Sequence, residues 1–360
     1  MALRAHFSPL PDRTTLEARW RTMEAQSDAS FFLGWTWIDA WLDAYDVRPE
    51  LLAVTNDEGH DIALALVGHA MMPRLLGRAA TLCLNQAGDD GADRPFIEYN
   101  GLLTLTDQEL PVARTVLSAI GTRKDWRVLH LAGVAPESPL LDFPAHRRTK
   151  LDESPVYQID LEAVRAAKGD YLSLLSANTR SQIRRAMKER GGALPTVARA
   201  SRADLEPWLE KMRMLNQGRH ADNAWDDAAF RRFVAIIAER GLEEGNVELL
   251  RFTDGGDDDA DPVGLLLNFI HRGVAMNYQS AFTAPRSAKD KPGLLCHAAA
   301  VGNYATHDLN LYSLLAGKDR YKQSLATCED RLQWWALERF SPRLEAEATL
   351  RRLLRRPISA

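Results

Sequence analysis

Between Leu309 and Lys322 the chain reads LNLYSLLAGKDRYK. An apolar, tyrosine-bearing strand stops at a small-residue turn and is followed by Gly317 and the pair Tyr321-Lys322. A strand that halts at a glycine and hands over a phenol and a cation puts titratable groups at a sheet end, where α/β proteins build their sites. A plain strand-to-helix turn with two surface residues fits the same letters, so the order of elements around it decides. Val274–Ala281 predicts a strand and Ala284–Lys291 a loop. Pro292-Gly293-Leu294-Leu295 then opens a helix to about Thr306, ahead of the strand Leu309–Leu315.

A chain of 360 residues outgrows one ordinary core and predicts two domains, with one large α/β domain as the alternative. Its apolar fraction of 46% and charged fraction of 26% are those of a globular protein. Lys and Arg number 45 against 49 Asp and Glu, a net charge of −4, which lends no support to a nucleic-acid-coating protein but leaves room for local basic faces. No apolar run approaches the ~18 residues that span a bilayer, and the N-terminus lacks an uninterrupted hydrophobic core of a signal peptide. A cytoplasmic location is the expectation. Cys83, Cys296 and Cys328 are odd in number and far apart, which predicts three buried thiols in a reducing compartment. Nine His without H-E-x-x-H or comparable spacing predict no metal site.

Along the chain, Trp35, Trp37, Ile38, Trp41, Leu42 and Tyr45 recur at helical intervals and predict an aromatic helix over Gly34–Asp46, packed on a core. Strands are expected at Leu51–Thr55, Ile62–Met71, Ala80–Gln86 and Phe96–Leu105, a helix at Gln108–Ile120 and a strand at Arg127–Leu131. The polar stretch Phe143–Ser154 reads as irregular and sets a domain boundary near residue 150, before the strand Val156–Leu161. Tyr171–Arg190 reads as one helix ending at Gly191-Gly192. Helices near Asp204–Gln217 and Asp226–Arg240 follow, then strands Val247–Thr253 and Pro262–Ile270 joined by an acidic hairpin loop. From Asp330 to Arg356 the sequence reads as helical and Arg-rich. The expected domains are therefore 1–150, 151–335 and a helical tail 336–360.

Three constellations could carry chemistry. Arg180, Arg184 and Lys188 form an i, i+4, i+8 stripe suited to a phosphorylated ligand through charge-assisted hydrogen bonds. A solvated helix face, with cations favoured near its C-terminus, fits them equally. The helix start at Pro292-Gly293 offers the amides of Leu294 and Leu295 to an anion, with Lys289 and Lys291 just upstream and Gly293 allowing close approach. Tyr278 and Tyr312 lie on the strands flanking that helix and are expected to face each other, near Asp319, Tyr321 and Lys322. Tyrosine can act as a general acid, and Lys or Asp can move protons or hold a developing oxyanion. Cys296 and His297 are neighbours in sequence and point apart on a helix, which disfavours a Cys-His nucleophile.

With those residues in view, the second half resembles the acyltransferase domain of the CelD-like, FemAB-related branch of the GNAT superfamily. The resemblance is carried by the helix with Ser176, Asn178, Arg180, Ile183, Arg184 and Arg185, by Asn277-Tyr278, by Pro292-Gly293-Leu294-Leu295, and by Gly317, Tyr321 and Lys322. FFLGWTWIDAWLDAY, Phe31–Tyr45, also looks like the opening of that family, so the similarity spans roughly residues 30–335. It implies a mixed α/β sheet in tandem GNAT-like domains, the first degenerate and the second holding the acyl-donor site. It further implies an N-acyltransferase that moves an acyl group from acyl-CoA to an amine on a sugar, polysaccharide precursor or other envelope-related metabolite. The implied catalytic set is Tyr278, Asp319, Tyr321 and Lys322, with Lys289, Lys291, Pro292, Gly293, Leu294 and Leu295 on the donor and Arg180, Arg184 and Tyr312 on the substrate. The usual Q/R-x-x-G-x-G/A pyrophosphate loop is replaced by Ala284–Gly293. That departure keeps aminoacyl-tRNA, the donor of the Fem relatives, beside acyl-CoA. A catalytically idle binding protein in polysaccharide assembly is the other class that stays open.

Overall fold

The computed structural model describes residues 2–219, 222–255 and 261–354. In chain order the elements are β1 (Arg4–Ser8), α1 (Arg13–Glu24), α2 (Trp35–Tyr45), β2 (Glu50–Thr55), β3 (Asp61–Arg74), β4 (Gly77–Leu84), β5 (Leu103–Thr104), α3 (Glu109–Thr122), β6 (Val128–Val134) and β7 (Arg147–Asp160). There follow α4 (Leu161–Ala166), α5 (Ala177–Glu189), β8 (Thr196–Arg199), α6 (Leu205–Asn216), α7 (Ala228–Glu244), β9 (Val247–Thr253), β10 (Gly264–His271) and β11 (Val274–Phe282). The chain ends with α8 (Pro292–Ala305), β12 (Leu311–Ala316), α9 (Arg320–Leu325), β13 (Cys328–Glu338) and α10 (Pro342–Leu354). This is the expected mixed α/β fold. The contacts divide it into two units, one of the residues up to Glu153 together with those from Leu332 on, the other Ser154–Arg331.

In the first unit β1, β2, β3 and β4 pair antiparallel in that order, β4 and β6 pair parallel, and β13 closes antiparallel on β6. The aromatic helix forms as its spacing dictates: Trp35, Trp37, Ile38, Trp41 and Leu42 are all buried. Trp41 Nε1 donates to the Ala92 carbonyl at 2.8 Å, so the indole serves as core and as anchor for a loop. The parallel ladder of β4 and β6 runs for three pairs, Thr81↔Val128 to Cys83↔His130. Just past it Asn100 bridges the two strands, donating from its backbone to Gly133 O at 2.9 Å and from Nδ2 to Leu84 O at 3.0 Å. Gly133 has φ +64, and a Cβ there would sit 2.5 Å from Ile97 O, so glycine is what lets this segment pass.

In the second unit β7, β12, β11, β10, β9 and β8 are neighbours in that order. Only β11 and β12 pair parallel, with α8 between them in sequence, and again the ladder is three pairs long, Val274↔Leu311 to Met276↔Ser313. Leu295, Ala298, Val301 and Tyr304 of α8 pack with Ile159, Leu250, Leu266 and Tyr312 of the strands into one core. α5 is amphipathic: Ser176 caps it by accepting from Thr179 N, and Thr179, Ile183 and Ala186 are its buried face.

Four local expectations change. Of Phe96–Leu105 only Leu103–Thr104 is strand, because Asn85 and Asn100 hold the preceding residues in place by side-chain bonds instead of a ladder. The polar stretch before Ser154 is the first half of β7, exposed along most of its length, which is why it reads as loop. Tyr171–Arg190 breaks at Leu175, where the cap Ser176 starts α5 afresh after a 3-10 turn over Tyr171–Leu174. Residues from Asp330 to Glu338 belong to β13, and the helix begins at Pro342, where a fixed φ suits a first helical position. The acidic hairpin loop falls largely outside the described residues, as do Arg355 and Arg356.

Candidate active site

Beyond Met276 and Ser313 the parallel strands β11 and β12 lose their pairing. At that end lies a cleft of about 300 Å³ lined by Asn216, Asp222, Trp225, Tyr278, Tyr321 and Lys322 among others. Leu315, near the end of β12, has φ +58, a costly left-handed turn for a non-glycine residue at the point where the strand leaves its register with β7. The chain then passes Gly317 into α9. A Cβ on Gly317 would lie 2.8 Å from Lys322 Nζ, so the glycine lets the ammonium rest over the backbone and donate to Ala316 O at 2.8 Å.

The structure thus brings Tyr278, Tyr321 and Lys322 to one cleft. Asp319 stands at the N-cap position of α9 without a side-chain capping bond and is exposed, and it is not among the cleft's lining residues. Tyr321 is 38% exposed, and burial of the rest of the ring, helped by the Asp319 charge, pushes its phenol up to about 12.

Tyr278 and Tyr312 do not face each other. Tyr312 pairs with Ala275, and Tyr278 is three residues further along β11, so strand alternation sends it to the opposite face. There its ring stacks on Phe269 at 4.8 Å and meets Phe233 of α7 edge-on at 6.3 Å. Tyr312 is fully buried against α8, with its ring 5.5 Å from Tyr304.

At the start of α8 the first-turn amides differ from the expected pair. Leu295 N donates to Lys291 O at 3.1 Å, and Pro292 has no N–H, so Gly293 and Leu294 are the donors left over by helix geometry. A Cβ on Gly293 would stand 3.1 Å from Phe282 Cε2, so this glycine also serves packing against β11. Lys289 is exposed and Lys291 half-buried beside this turn.

What sets the loop before α8 is a buried charge network that sequence reading missed. Arg190 Nε and Nη2 each lie 2.7 Å from an Asp290 carboxylate oxygen, and Nη1 lies 3.0 Å from Asp254. Asp290 also accepts from Arg286 N at 2.8 Å. Burial opposes the charged form of both partners, and their mutual hydrogen bonds and charge outweigh it: Arg190 is raised and Asp290 lowered. Neither residue stands out in sequence, since they are a hundred positions apart.

Arg180 is half-buried and donates to Leu175 O at 3.2 Å, whereas Arg184 is exposed. Neither lines the cleft.

A second feature that sequence reading passed over is His297. It is fully buried, with Nδ1 2.9 Å from the Tyr312 hydroxyl and its ring stacked at 5.9 Å and 21° on Tyr321. Its Nε2 has no hydrogen-bond partner among the described residues. Such a group costs about 1–3 kcal/mol when buried. Burial, with a smaller push from the Lys322 charge, lowers its pKa to about 3, so the imidazole is neutral. Burial pushes the Cys296 thiol up, so it is no nucleophile. Cys83 and Cys296 are buried as expected, but Cys328 is exposed at the start of β13. Among the described residues no group of three or more His, Cys, Asp or Glu could hold a metal, and no helix is long and apolar enough to cross a membrane.

Residues 176–323, which contain α5, the cleft's lining residues and the start of α9, match the family model of the acetyltransferase (GNAT) domain. No curated protein matches the chain. Among solved structures it is similar to FemX, with a TM-score of 0.57 and 9% identity over 97% of this chain and 100% of that one. It is also similar to a conserved protein of unknown function from Bacteroides thetaiotaomicron, with a TM-score of 0.57 and 11% identity over 92% of this chain and 99% of that one. The C-terminal domain of a putative lysylphosphatidylglycerol synthetase from Agrobacterium fabrum gives a TM-score of 0.53 and 11% identity, over 95% of this chain and 96% of that one. Identities this low bear on the fold alone; the match over residues 176–323 is what identifies the chain as the carrier of a GNAT acyltransferase domain in its second half.

Proposed function

We propose that the Ser154–Arg331 unit transfers an acyl group from acyl-CoA to an amine. The observation that carries this is the gap past the β11–β12 ladder, flanked by the α8 first turn and opening on Tyr278, Tyr321 and Lys322. The matching gap past β4 and β6 is bridged by Asn100, which supports a single donor site, in the second unit. The amides of Gly293 and Leu294, with Lys289 and Lys291 beside them, suit a pyrophosphate, and a thioester arm would run on into the cleft.

In the reaction the amine nitrogen attacks the thioester carbonyl carbon. The C–N bond forms, negative charge builds on the carbonyl oxygen, and the C–S bond then breaks. The amine proton passes to a carboxylate, for which the cleft offers Asp222, with Asp319 outside its lining but close enough for its charge to act on Tyr321. The departing thiolate takes a proton from Tyr321 or Tyr278, and Lys322 favours the developing charge. Arg180, Arg184 and Tyr312 lie outside the cleft's lining and take no step in this reaction. The acceptor is an amine of a sugar, polysaccharide precursor or similar metabolite, a reading supported by the family resemblance.

Calorimetry with CoA and with aminoacyl-tRNA tests the donor. Binding of CoA that is lost on replacing Gly293 with a bulky residue is the expected result. No CoA binding together with tight aminoacyl-tRNA binding reverses the choice of donor.

A further inference from the structure

His297 is a polar group that the reaction above leaves idle. It lies on the second turn of α8, in a position where Phe or Leu would satisfy the surrounding core, and yet it buries a nitrogen with no partner among the described residues. Its tautomer follows from its neighbour. The Tyr312 hydroxyl has one hydrogen-bond partner among the described residues, His297 Nδ1 at 2.9 Å. If Nδ1 carried the proton, both the Tyr312 O–H and the Nε2 lone pair would go unused. The arrangement that satisfies more groups has Tyr312 donating to Nδ1, which leaves the proton on Nε2. His297 then presents a neutral N–H donor that lacks an acceptor.

Three rings and one cation bear on the imidazole. Tyr312 is fully buried, Phe282 meets the ring edge-on at 5.7 Å, Lys322 is half-buried, and Tyr321 stacks on its face. Tyr321 alone among them is more than a third exposed, and it lines the cleft. It rides on a six-residue helix whose one buried residue is Leu325. Phe282, in turn, packs on Gly293 in the first turn of α8. The imidazole therefore meets both Phe282, which packs on the donor turn, and Tyr321, which lines the cleft.

We propose that His297 Nε2–H is a hydrogen-bond donor to the acyl carbonyl oxygen of the bound thioester, reached when Tyr321 swings aside. A neutral imidazole suits this role because it offers one N–H to a developing oxyanion while giving up no proton. The low pKa keeps it neutral with Lys322 close by, and Tyr312 holds its orientation. The inference rests on the acyl-CoA reading of the cleft.

The test uses the full chain with ¹⁵N-labelled histidine, the His297 signals being assigned by their loss in His297→Phe. Coenzyme A and acetyl-CoA are titrated in parallel by calorimetry and by nitrogen chemical shift. The expected result is that both bind, that acetyl-CoA moves the Nε2 resonance, and that coenzyme A, which has no acyl carbonyl, leaves it in place. His297→Phe should weaken acetyl-CoA about tenfold and leave coenzyme A within twofold. Saturating acetyl-CoA with an unmoved Nε2 resonance overturns the role of His297 and leaves the donor reading standing. Equal losses for the two ligands in His297→Phe overturn it as well, by assigning the residue to packing. If neither ligand binds the wild type, the donor reading falls, and this inference with it.

Discussion

Arg190, at the end of α5, and Asp290, two residues before α8, close a two-point ion pair in which both nitrogen–oxygen distances are 2.7 Å. The pair ties the C-terminal cap of one helix to the loop that delivers the N-terminus of another. A planar guanidinium matches a carboxylate in this way and lysine does not. Asp290→Ala leaves a buried guanidinium with Asp254 as its one carboxylate among the described residues, and should cost roughly 3–5 kcal/mol of stability. Arg190→Lys should lose less. Because the loop carries the first turn of α8, coenzyme A affinity should fall at least tenfold in Asp290→Ala at temperatures where the variant stays folded. Urea unfolding beside calorimetry reads both effects, and an Asp290→Ala protein as stable as wild type would show that the pair does not hold the loop.

Gly293 makes a related prediction about packing. A Cβ there already stands 3.1 Å from the Phe282 ring, so the larger Gly293→Val should force the ring aside and destabilise by about 1–3 kcal/mol. Adding Phe282→Leu should recover part of that loss, because the obstructing atoms are gone. Thermal unfolding of the single and double variants decides it: no recovery in the double variant means that the cost comes from the backbone and not from Phe282.

Much of this was legible in the sequence because it is written locally. The aromatic helix, the Pro292 helix start, and β9 to β12 follow from spacing and turn residues within a dozen positions of one another. Tyr321 and Lys322 stood out because glycine and strand end are neighbours in the chain. Arg190–Asp290 and Asn100 at Gly133 are long-range pairs, and no local pattern marks them. Tyr278 was placed on the wrong face for a different reason. The face depends on register with β12, which is a property of pairing and not of either strand alone. In sequence His297 has Cys296 as its neighbour, whereas its partners in the fold come from β12 and α9.

The buried imidazole should also leave a mark on acid stability. His297 has its pKa lowered from 6.5 to about 3 in the folded chain, mainly by burial. Between those values the unfolded chain binds the extra proton and the folded chain does not. The stability contributed by the neutral ring is therefore complete above about pH 6.5 and is lost as pH falls toward 3. The loss should amount to a few kcal/mol, at about 1.4 kcal/mol per pKa unit. His297→Phe should flatten the stability curve over this window. Urea unfolding at stepped pH measures it, and parallel curves for the two proteins would mean that other groups govern acid unfolding.

Tyr321 and Lys322 carry the prediction about chemistry. The phenol is pushed up to about 12, so it keeps its proton across the range in which an amine acceptor is itself deprotonated. A group in that state can give a proton to a departing thiolate, a contribution of roughly 10²–10⁴-fold in rate. Tyr321→Phe should therefore lower turnover by 10²-fold or more with donor affinity unchanged, because the lost interaction exists only as the C–S bond breaks. Lys322→Ala removes both the cation and its bond to Ala316 O, and should lower turnover while also raising the pKa of His297, which the ammonium depresses. Thiol release from acetyl-CoA with a panel of amino sugars, paired with calorimetry on the same variants, separates rate from binding. Full turnover in a folded Tyr321→Phe protein would assign the proton to Tyr278, which also lines the cleft, and a double variant retaining turnover would remove both tyrosines from the reaction.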